Sequence, residues 1–291
     1  MKLLITGARG QLGRELSHVA SASGEPVMAV DVDALDITNR ESVHDALVES
    51  RPDVVINCAA MTAVDACEER ADEAMSVNGH AVRWIAEACD AIGARLVQIS
   101  TDYVFDGTKA GPYVESDEPN PRSVYGHTKL VGERAALDLG DAGLVVRTSW
   151  VCGFHGSNMV KTVLKLLEES RPMAFVDDQI GHPTFAADLA SMVHTLAVDS
   201  RSGIFHVTNE GAVSWYEFVR EIVQRSGHDP AVVKPIRTSD LQPPRPARRP
   251  ANSVLENAAL ASAGYSPMRD FRLPLDELLD ALSQGRDKLK G

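Results

Sequence analysis

The chain has 291 residues, 44% of them hydrophobic, and a formal net charge of −12. That length exceeds one ordinary compact domain, and the apolar share is enough for a sizeable core. Acidic residues spread along the chain exclude a broad basic face for nucleic acid, though a few local cations and helix N-termini can still hold an anionic small ligand.

The first half alternates strand and helix signals. Lys2 to Thr6 is a short apolar run ending in glycine, and Gln11 to Ser21 has helical spacing at Leu12, Leu16 and Val19. Pro26 to Val30 is a second short run, and Arg40 to Ser50 is a helix with Val43, Leu47 and Val48 on one side. Asp53 to Asn57 is a buried strand, Glu68 to Ala91 one long helix, Arg95 to Ile99 a strand, Val124 to Leu139 a helix and Gly143 to Arg147 a strand. Short strands separated by helices imply parallel pairing with right-handed crossovers. After Trp150 the pattern loosens and proline becomes frequent from Pro230 onward. Helices are expected at 158–169, 185–198, 215–226 and 273–282. The expected fold is α/β: a Rossmann-type doubly wound parallel sheet with a smaller, mostly helical C-terminal substrate lobe. The dinucleotide-binding domain is placed at 1–150 and the substrate-binding lobe at 151–291, with an approximate boundary that the chain crosses more than once.

No apolar stretch is long enough to cross a bilayer, and Leu3-Leu4-Ile5 is too short for a signal peptide, so a cytoplasmic protein with no membrane partner is expected. Cys58, Cys67, Cys89 and Cys152 match no zinc or redox spacing and are expected to be reduced thiols.

Gly7-Ala8-Arg9-Gly10-Gln11-Leu12-Gly13 is a G-x-x-G-x-x-G turn between the first strand and the first helix. Its glycines permit close backbone approach to a pyrophosphate, and the helix N-terminus supplies free N–H groups. Asp31 ends the second strand, where a carboxylate holds ribose hydroxyls, which favours NADH. Arg9 lies inside the turn, where a guanidinium meets a 2′-phosphate, which favours NADPH. The cofactor is therefore NADPH or NADH. Asp36 and Ile37 border the adenine, or Asp36 caps the next helix. The small residues Cys58, Ala59 and Ala60 after the third strand let the backbone pass close to the cofactor, or simply pack tightly.

Tyr125 and Lys129 are four residues apart, on one face of a helix. An ammonium favours the phenolate and so lowers the tyrosine pKa, which suits a proton donor to a carbonyl under reduction. Arg249 in the proline-rich stretch is a cation whose guanidinium can make two hydrogen bonds to one phosphate. Trp150 follows the fifth strand, at the sheet edge where ligands bind.

With Ser100-Thr101-Asp102-Tyr103-Val104-Phe105-Asp106-Gly107, Arg147-Thr148-Ser149-Trp150, Asp177-Asp178-Gln179-Ile180-Gly181-His182-Pro183-Thr184 and Arg249-Pro250-Ala251-Asn252-Ser253 added, the chain resembles the extended short-chain dehydrogenase/reductase superfamily. Within it the chain is similar to the dTDP-4-dehydrorhamnose reductase family through nearly its whole length. The resemblance implies reduction of the C4 keto group of dTDP-4-dehydro-L-rhamnose to dTDP-L-rhamnose. It implies Tyr125 as proton donor, Lys129 on the nicotinamide ribose, and Thr101 as a hydrogen-bond partner of the carbonyl oxygen. The implied substrate-side set is Thr101, Asp102, Val104, Trp150, Asn158 and Arg249, with Gln179 and Pro183 framing the pocket. No metal ligand is assigned, although Mg2+ at a subunit contact and a homodimer occur in some relatives; Glu68 and Glu69 are expected on a solvated helix face.

Met61, Cys152 and Met159 depart from the family's commoner aromatic or histidine residues and leave open a 4-ketoreductase of another dTDP-deoxysugar route. Tyr103 after Thr101-Asp102, in place of glutamate, disfavours a 4,6-dehydratase. An epimerase fits the C-terminal segments less well. The other class in play is a non-catalytic, NADP-binding regulatory subunit like that of methionine adenosyltransferase.

Overall fold

A computed structural model describes the backbone of residues 1–290 and the side chains of residues 1–284. The strands are β1 Leu3–Thr6, β2 Val27–Ala29, β3 Val54–Asn57, β4 Arg95–Thr101, β5 Gly143–Thr148, β6 Val151–Cys152, β7 Met173–Val176, β8 Ile180–Gly181, β9 Thr184–Phe185, β10 Gly203–His206, β11 Val213–Ser214 and β12 Val233–Ile236. The helices are α1 Gln11–Ala22, α2 Arg40–Ser50, α3 Val64–Glu69, α4 Ala71–Met75, α5 Ala81–Ile92, α6 Val124–Leu137, α7 Met159–Glu168, α8 Ala186–Val198, α9 Trp215–Arg225, α10 Ala258–Ser262 and α11 Arg272–Lys290.

Six parallel strands form the central sheet in the order β10-β5-β4-β3-β1-β2. The period of two along each strand sorts side chains between the faces. Leu3, Ile5, Val54, Ile56, Val97, Leu144 and Val146 pack on one face with Leu12 and Leu16 of α1 and Leu189 and Val193 of α8. Leu4, Val55, Leu96 and Val145 pack on the other with Val43 and Leu47 of α2 and Ile85 of α5. Each such fully buried aliphatic side chain stabilises the fold by about 1.5–3 kcal/mol relative to exposure. Val48, expected on the same side as Val43 and Leu47, is instead exposed.

The sheet is doubly wound, and its switch point lies beside β1: the chain leaves β1 for β2 on one side and returns to β3 on the other. Ligands in such sheets lie at the carboxyl ends of the strands at that point. A buried polar ladder runs along this edge. Thr6 Oγ1 donates to Asn57 Oδ1 at 2.5 Å, Asn57 Nδ2 to Gln98 Oε1 at 2.7 Å, and Gln98 Nε2 to the Ile99 carbonyl at 2.7 Å.

Beyond Trp150, residues 203–206 return to the sheet as its sixth strand and α8 packs on α1, while a separate core gathers Cys152, Val160, Phe185, Phe218 and Phe271. Three two-stranded pairs complete that part: β6 with β9, β7 with β12 and β8 with β11.

The expected single helix from Glu68 to Ala91 is broken. Arg70 has φ −126° and ψ 56°, which separates α3 from α4, and residues 76–80 form a π-helical turn before α5. Asn78 in that turn donates from Nδ2 to the Met61 carbonyl and to Thr128 Oγ1, and its Oδ1 accepts from the Met61 amide. A π-turn at such a site re-aims one side chain out of helical register, here to tie the loop after β3 to α6.

Candidate active site

The glycine turn joins β1 to α1 as its spacing implies. Gly7 has φ +61°, and a Cβ there would lie 2.7 Å from the Ala59 amide nitrogen; a Cβ on Gly13 would lie 2.3 Å from the Gly7 carbonyl oxygen. Only residues without a Cβ fit this cradle. Two cavities meet at it, sharing Gly7, Gly10, Cys58 and Ala60. The outer one, of about 460 Å3, is also lined by Arg9, Asp31, Asp36, Ile37 and Ala59. The inner one, of about 250 Å3, is lined by Gln11, Leu12, Tyr125 and Lys129. All thirteen residues assigned to the cofactor from the sequence therefore border one groove. Its dimensions and glycine floor fit an extended dinucleotide, with Asp31 at the outer end and Tyr125 with Lys129 at the inner end.

Asp31 accepts from the Arg9 and Val32 amides. Burial alone would raise its pKa, but these two amides and the Arg9 guanidinium outweigh it and hold the carboxyl below its ordinary value. Asp36 accepts from the amide and hydroxyl of Thr38 at 2.9 and 2.7 Å, while Asn39 caps α2. The capping alternative for Asp36 is therefore not realised, because its carboxylate turns onto its own loop.

Ser123 caps α6 by accepting from the Gly126 amide, and Glu68 accepts from the Val124 amide at 2.9 Å, so Glu68 braces the helix start and does not belong to a solvated face. This helix presents Tyr125 and Lys129, both buried. The Lys129 ammonium donates to the Ile99 carbonyl at 2.6 Å. Burial lowers the Lys129 pKa to about 8, against the opposing pull of Glu133. Glu133 itself accepts from Arg147 Nε at 2.9 Å and Nη2 at 2.7 Å and from Ser100 Oγ at 2.5 Å, a buried, paired charge one helical turn below the lysine. The expected lowering of the Tyr125 pKa is not what the site shows. Burial pushes the phenol up, opposed by a hydrogen bond with Thr101, so Tyr125 stands protonated.

Thr101 donates to Asp102 Oδ1 at 2.9 Å and accepts from the Tyr103 amide at 3.1 Å. Its hydroxyl hydrogen is thus committed to Asp102 in this state, and its oxygen faces Tyr125. Asp102 is buried with Oδ2 unpartnered, and burial raises its pKa to about 6 despite hydrogen bonds from Ser253 and Thr101. The Val104 side chain does not face the groove: it is a core residue with Phe105, Tyr113, Leu130 and Leu255.

The expected substrate residues divide. Arg249 lines a third cavity, of about 340 Å3, with Tyr103, Met159, Phe175, Gln179, Trp215 and Arg245. Its guanidinium is paired through both nitrogens with Asp65, at 3.0 and 2.8 Å. Tyr103 joins the cavities, meeting Tyr125 edge-on at 5.6 Å between ring centres. Trp150 stacks on Trp215 at 3.6 Å and 10°, with a φ of +45° that is costly for a bulky residue. Asn158 caps α7, and its Nδ2 donates to Gln11 Oε1 and the Gly153 carbonyl, so it joins the glycine turn to the second core rather than presenting a free amide. Sequence reading missed Asp65, Arg245, Trp215 and Phe175. The aromatic pair at Trp215-Tyr216 was the one visible signal.

The sheet, the glycine cradle and the Tyr125–Lys129 pair define an NAD(P)-binding oxidoreductase of the extended short-chain dehydrogenase/reductase type. A dTDP-4-dehydrorhamnose reductase of Streptomyces griseus is 45% identical over 285 residues, covering 96% of this chain and 93% of that protein. Crystal structures of dTDP-4-dehydrorhamnose reductases from Clostridium acetobutylicum and, in complex with NADP, from Bacillus anthracis are 43% and 37% identical. Both have a TM-score of 0.92 and cover 97% of this chain and 100% of theirs. The model described as the RmlD substrate binding domain matches residues 1–284, and the chain belongs to that family.

Proposed function

We propose that this enzyme reduces the C4 keto group of dTDP-4-dehydro-L-rhamnose to give dTDP-L-rhamnose, with NADPH or NADH as donor. The observation that carries the reading is the placement of Tyr125 and Lys129 on the wall of the cavity that opens from the Gly7 turn. The names of relatives that match over nearly the whole chain support the sugar.

When bound, reduced nicotinamide supplies the hydride. The chain supplies the rest. The Gly7–Gly13 turn and the start of α1 hold the pyrophosphate, and Asp31 holds the adenosine ribose. Lys129 binds the nicotinamide ribose and offsets negative charge as it develops on the Tyr125 oxygen. Tyr125, protonated in its buried setting, delivers its proton to the C4 oxygen. Thr101, whose hydroxyl oxygen faces Tyr125, sits beside the phenol at the point where the C4 oxygen is protonated. Trp150 forms an apolar wall, and Arg249, released from Asp65, pairs with the substrate pyrophosphate. Cytoplasmic location is part of this proposal and is checked by cell fractionation.

The test is incubation with several dTDP-4-keto-6-deoxy sugars and each reduced cofactor, following nicotinamide oxidation and product identity. dTDP-L-rhamnose from the 4-dehydrorhamnose substrate supports the reading. Turnover confined to a different keto sugar moves the enzyme to another deoxysugar route, and no turnover with any of them favours a binding module.

A further inference from the structure

Behind Lys129 lies a buried ion pair that the proton transfer itself does not touch. Glu133 and Arg147 are each 1% exposed. Glu133 follows Lys129 by four residues on α6, so the two share a helix face. Its Oε1 accepts from Arg147 Nε at 2.9 Å and from Ser100 Oγ at 2.5 Å, and its Oε2 accepts from Arg147 Nη2 at 2.7 Å. The Arg147 guanidinium lies over the Phe105 ring at 5.1 Å, which fixes it further.

Lys129 and Glu133 are tied to adjacent residues of β4, Ile99 through its carbonyl and Ser100 through its hydroxyl. Ile99, Ser100 and Lys129 line the inner cavity, whereas Glu133 stands behind them. The carboxylate is the near end of the ion pair: it shares α6 and β4 with the lysine, while Arg147 reaches in from β5. Both of its oxygens are engaged by Arg147 and Ser100, so it acts on the ammonium as a charge and not as a contact that would draw it out of the groove. The other titratable groups around the lysine are neutral or turned away. Tyr125, one turn earlier on α6, is protonated, and Cys58 after β3 is a neutral thiol pushed up to about 12 by burial. Asp102 at the end of β4 is turned to Thr101 and Ser253.

We propose that Glu133 is a positioning residue of the reaction: held by Arg147 and Ser100, its buried carboxylate keeps the Lys129 ammonium charged and facing the groove. The inference rests on the reading of Lys129 as the nicotinamide-ribose lysine. Without the carboxylate, burial acts on the ammonium unopposed and favours its neutral form.

NMR titration of lysine labelled with carbon-13 at Cε, in the ligand-free protein and with Lys129→Arg for assignment, reads this charge without turnover. The wild-type midpoint is expected at about 8. Glu133→Gln lowers it by about one pH unit, the scale of a nearby charge at an effective dielectric of about 20. Because Glu133→Gln leaves a buried cation unpaired and can unfold the chain, the double variant Glu133→Gln/Arg147→Met carries the decision. It removes both charges, keeps their volume, and lowers the midpoint by about half a pH unit, since the nearer charge dominates. The alkaline limb of kcat/KM moves down with each midpoint. A mere structural strut lowers the melting temperature and leaves the midpoint at its wild-type value; that result in the double variant, or a midpoint that rises, overturns the inference. Midpoints that fall while the alkaline limb stays in place uphold the inference and remove Lys129 from the chemistry.

Discussion

Lys129 donates from its ammonium to the carbonyl oxygen of Ile99 at 2.6 Å, which anchors α6 to the end of β4 beside the groove that meets Tyr125. The lysine is held in place by backbone before any ligand arrives. Its burial lowers its pKa to about 8, so the charged form dominates at neutral pH and is lost above about pH 8. Turnover is expected to fall as pH rises through that value. Lys129→Arg, which stays protonated there, removes the alkaline limb at a reduced maximum rate. An alkaline limb unchanged in Lys129→Arg contradicts the assignment.

Tyr125→Phe keeps the ring and its burial and removes the proton. The expected loss in kcat is about 10²–10⁴-fold, the usual contribution of a positioned acid, with affinity for the reduced cofactor within a few fold of wild type. Steady-state rates and fluorescence titration of the cofactor check both parts. Equal losses in turnover and cofactor binding would reassign Tyr125 to the binding wall.

Asp65 and Arg249 form a bidentate pair, and the Arg249 hydrogen bond is the largest of the influences that hold the Asp65 carboxyl below its ordinary pKa. Arg249→Ala is expected to weaken dTDP binding about tenfold or more, the scale of hydrogen bonds to a charged group. Asp65→Asn frees the guanidinium and leaves dTDP affinity equal or tighter. Weaker binding in Asp65→Asn of the same size as in Arg249→Ala would make the pair a structural strut.

Gly13→Ala places a methyl group 2.3 Å from the Gly7 carbonyl and 2.7 Å from the Ala8 Cα. The turn has to open, at a cost of about 1–3 kcal/mol, the range for overpacking. Thermal melts should show that loss, and the added cofactor should no longer raise the melting temperature. Retained cofactor stabilisation would remove this turn from the cofactor site.

His182 and His206 are buried, and burial lowers their pKa values to about 4 and about 3. Both titrate at about 6.5 when unfolded, so the unfolded chain takes up their protons first as pH falls. Their contribution is complete above about pH 6.5 and is lost below it, at about 1.4 kcal/mol per pH unit for each. Asp102, raised to about 6, works in the opposite sense between about pH 6 and 4. Melting temperature is therefore expected to drop from about pH 6.5 downward, and His182→Asn should flatten that drop while lowering the plateau. An identical slope in the variant would exclude His182 as a contributor.

The sheet was readable because its strands are continuous apolar runs such as Val54-Val55-Ile56, set between helices with period-3.6 spacing. β10 was not, since Gly203-Ile204-Phe205-His206 is short and mixed, and its place beside β5 depends on contacts with residues far away in the chain. The break at Arg70 and the π-turn through Asn78 were invisible for a related reason: the apolar spacing continues across them, and the turn answers to Met61 and Thr128.

The groove was legible where function needs a local pattern, as in the Gly7–Gly13 turn and the four-residue step from Tyr125 to Lys129. Partners that depend on tertiary meeting were not. Asp65 is separated from Arg249, and Trp150 from Trp215, by stretches that carry no shared periodicity. Val104 shows the converse error: its neighbours Thr101 and Asp102 drew it into the substrate set, while the short helix at 102–104 turns its side chain into the core.

The central claim is a hydride moved to the sugar's C4 while Tyr125 protonates the oxygen. It is tested most directly with NADPH or NADH deuterated on the transferred position of nicotinamide C4, dTDP-4-dehydro-L-rhamnose, and NMR of the product. Deuterium bound to C4 of dTDP-L-rhamnose in the wild-type reaction, with label transfer all but lost in Tyr125→Phe, is the expected result. Label absent from the sugar, or full transfer in Tyr125→Phe, would contradict it.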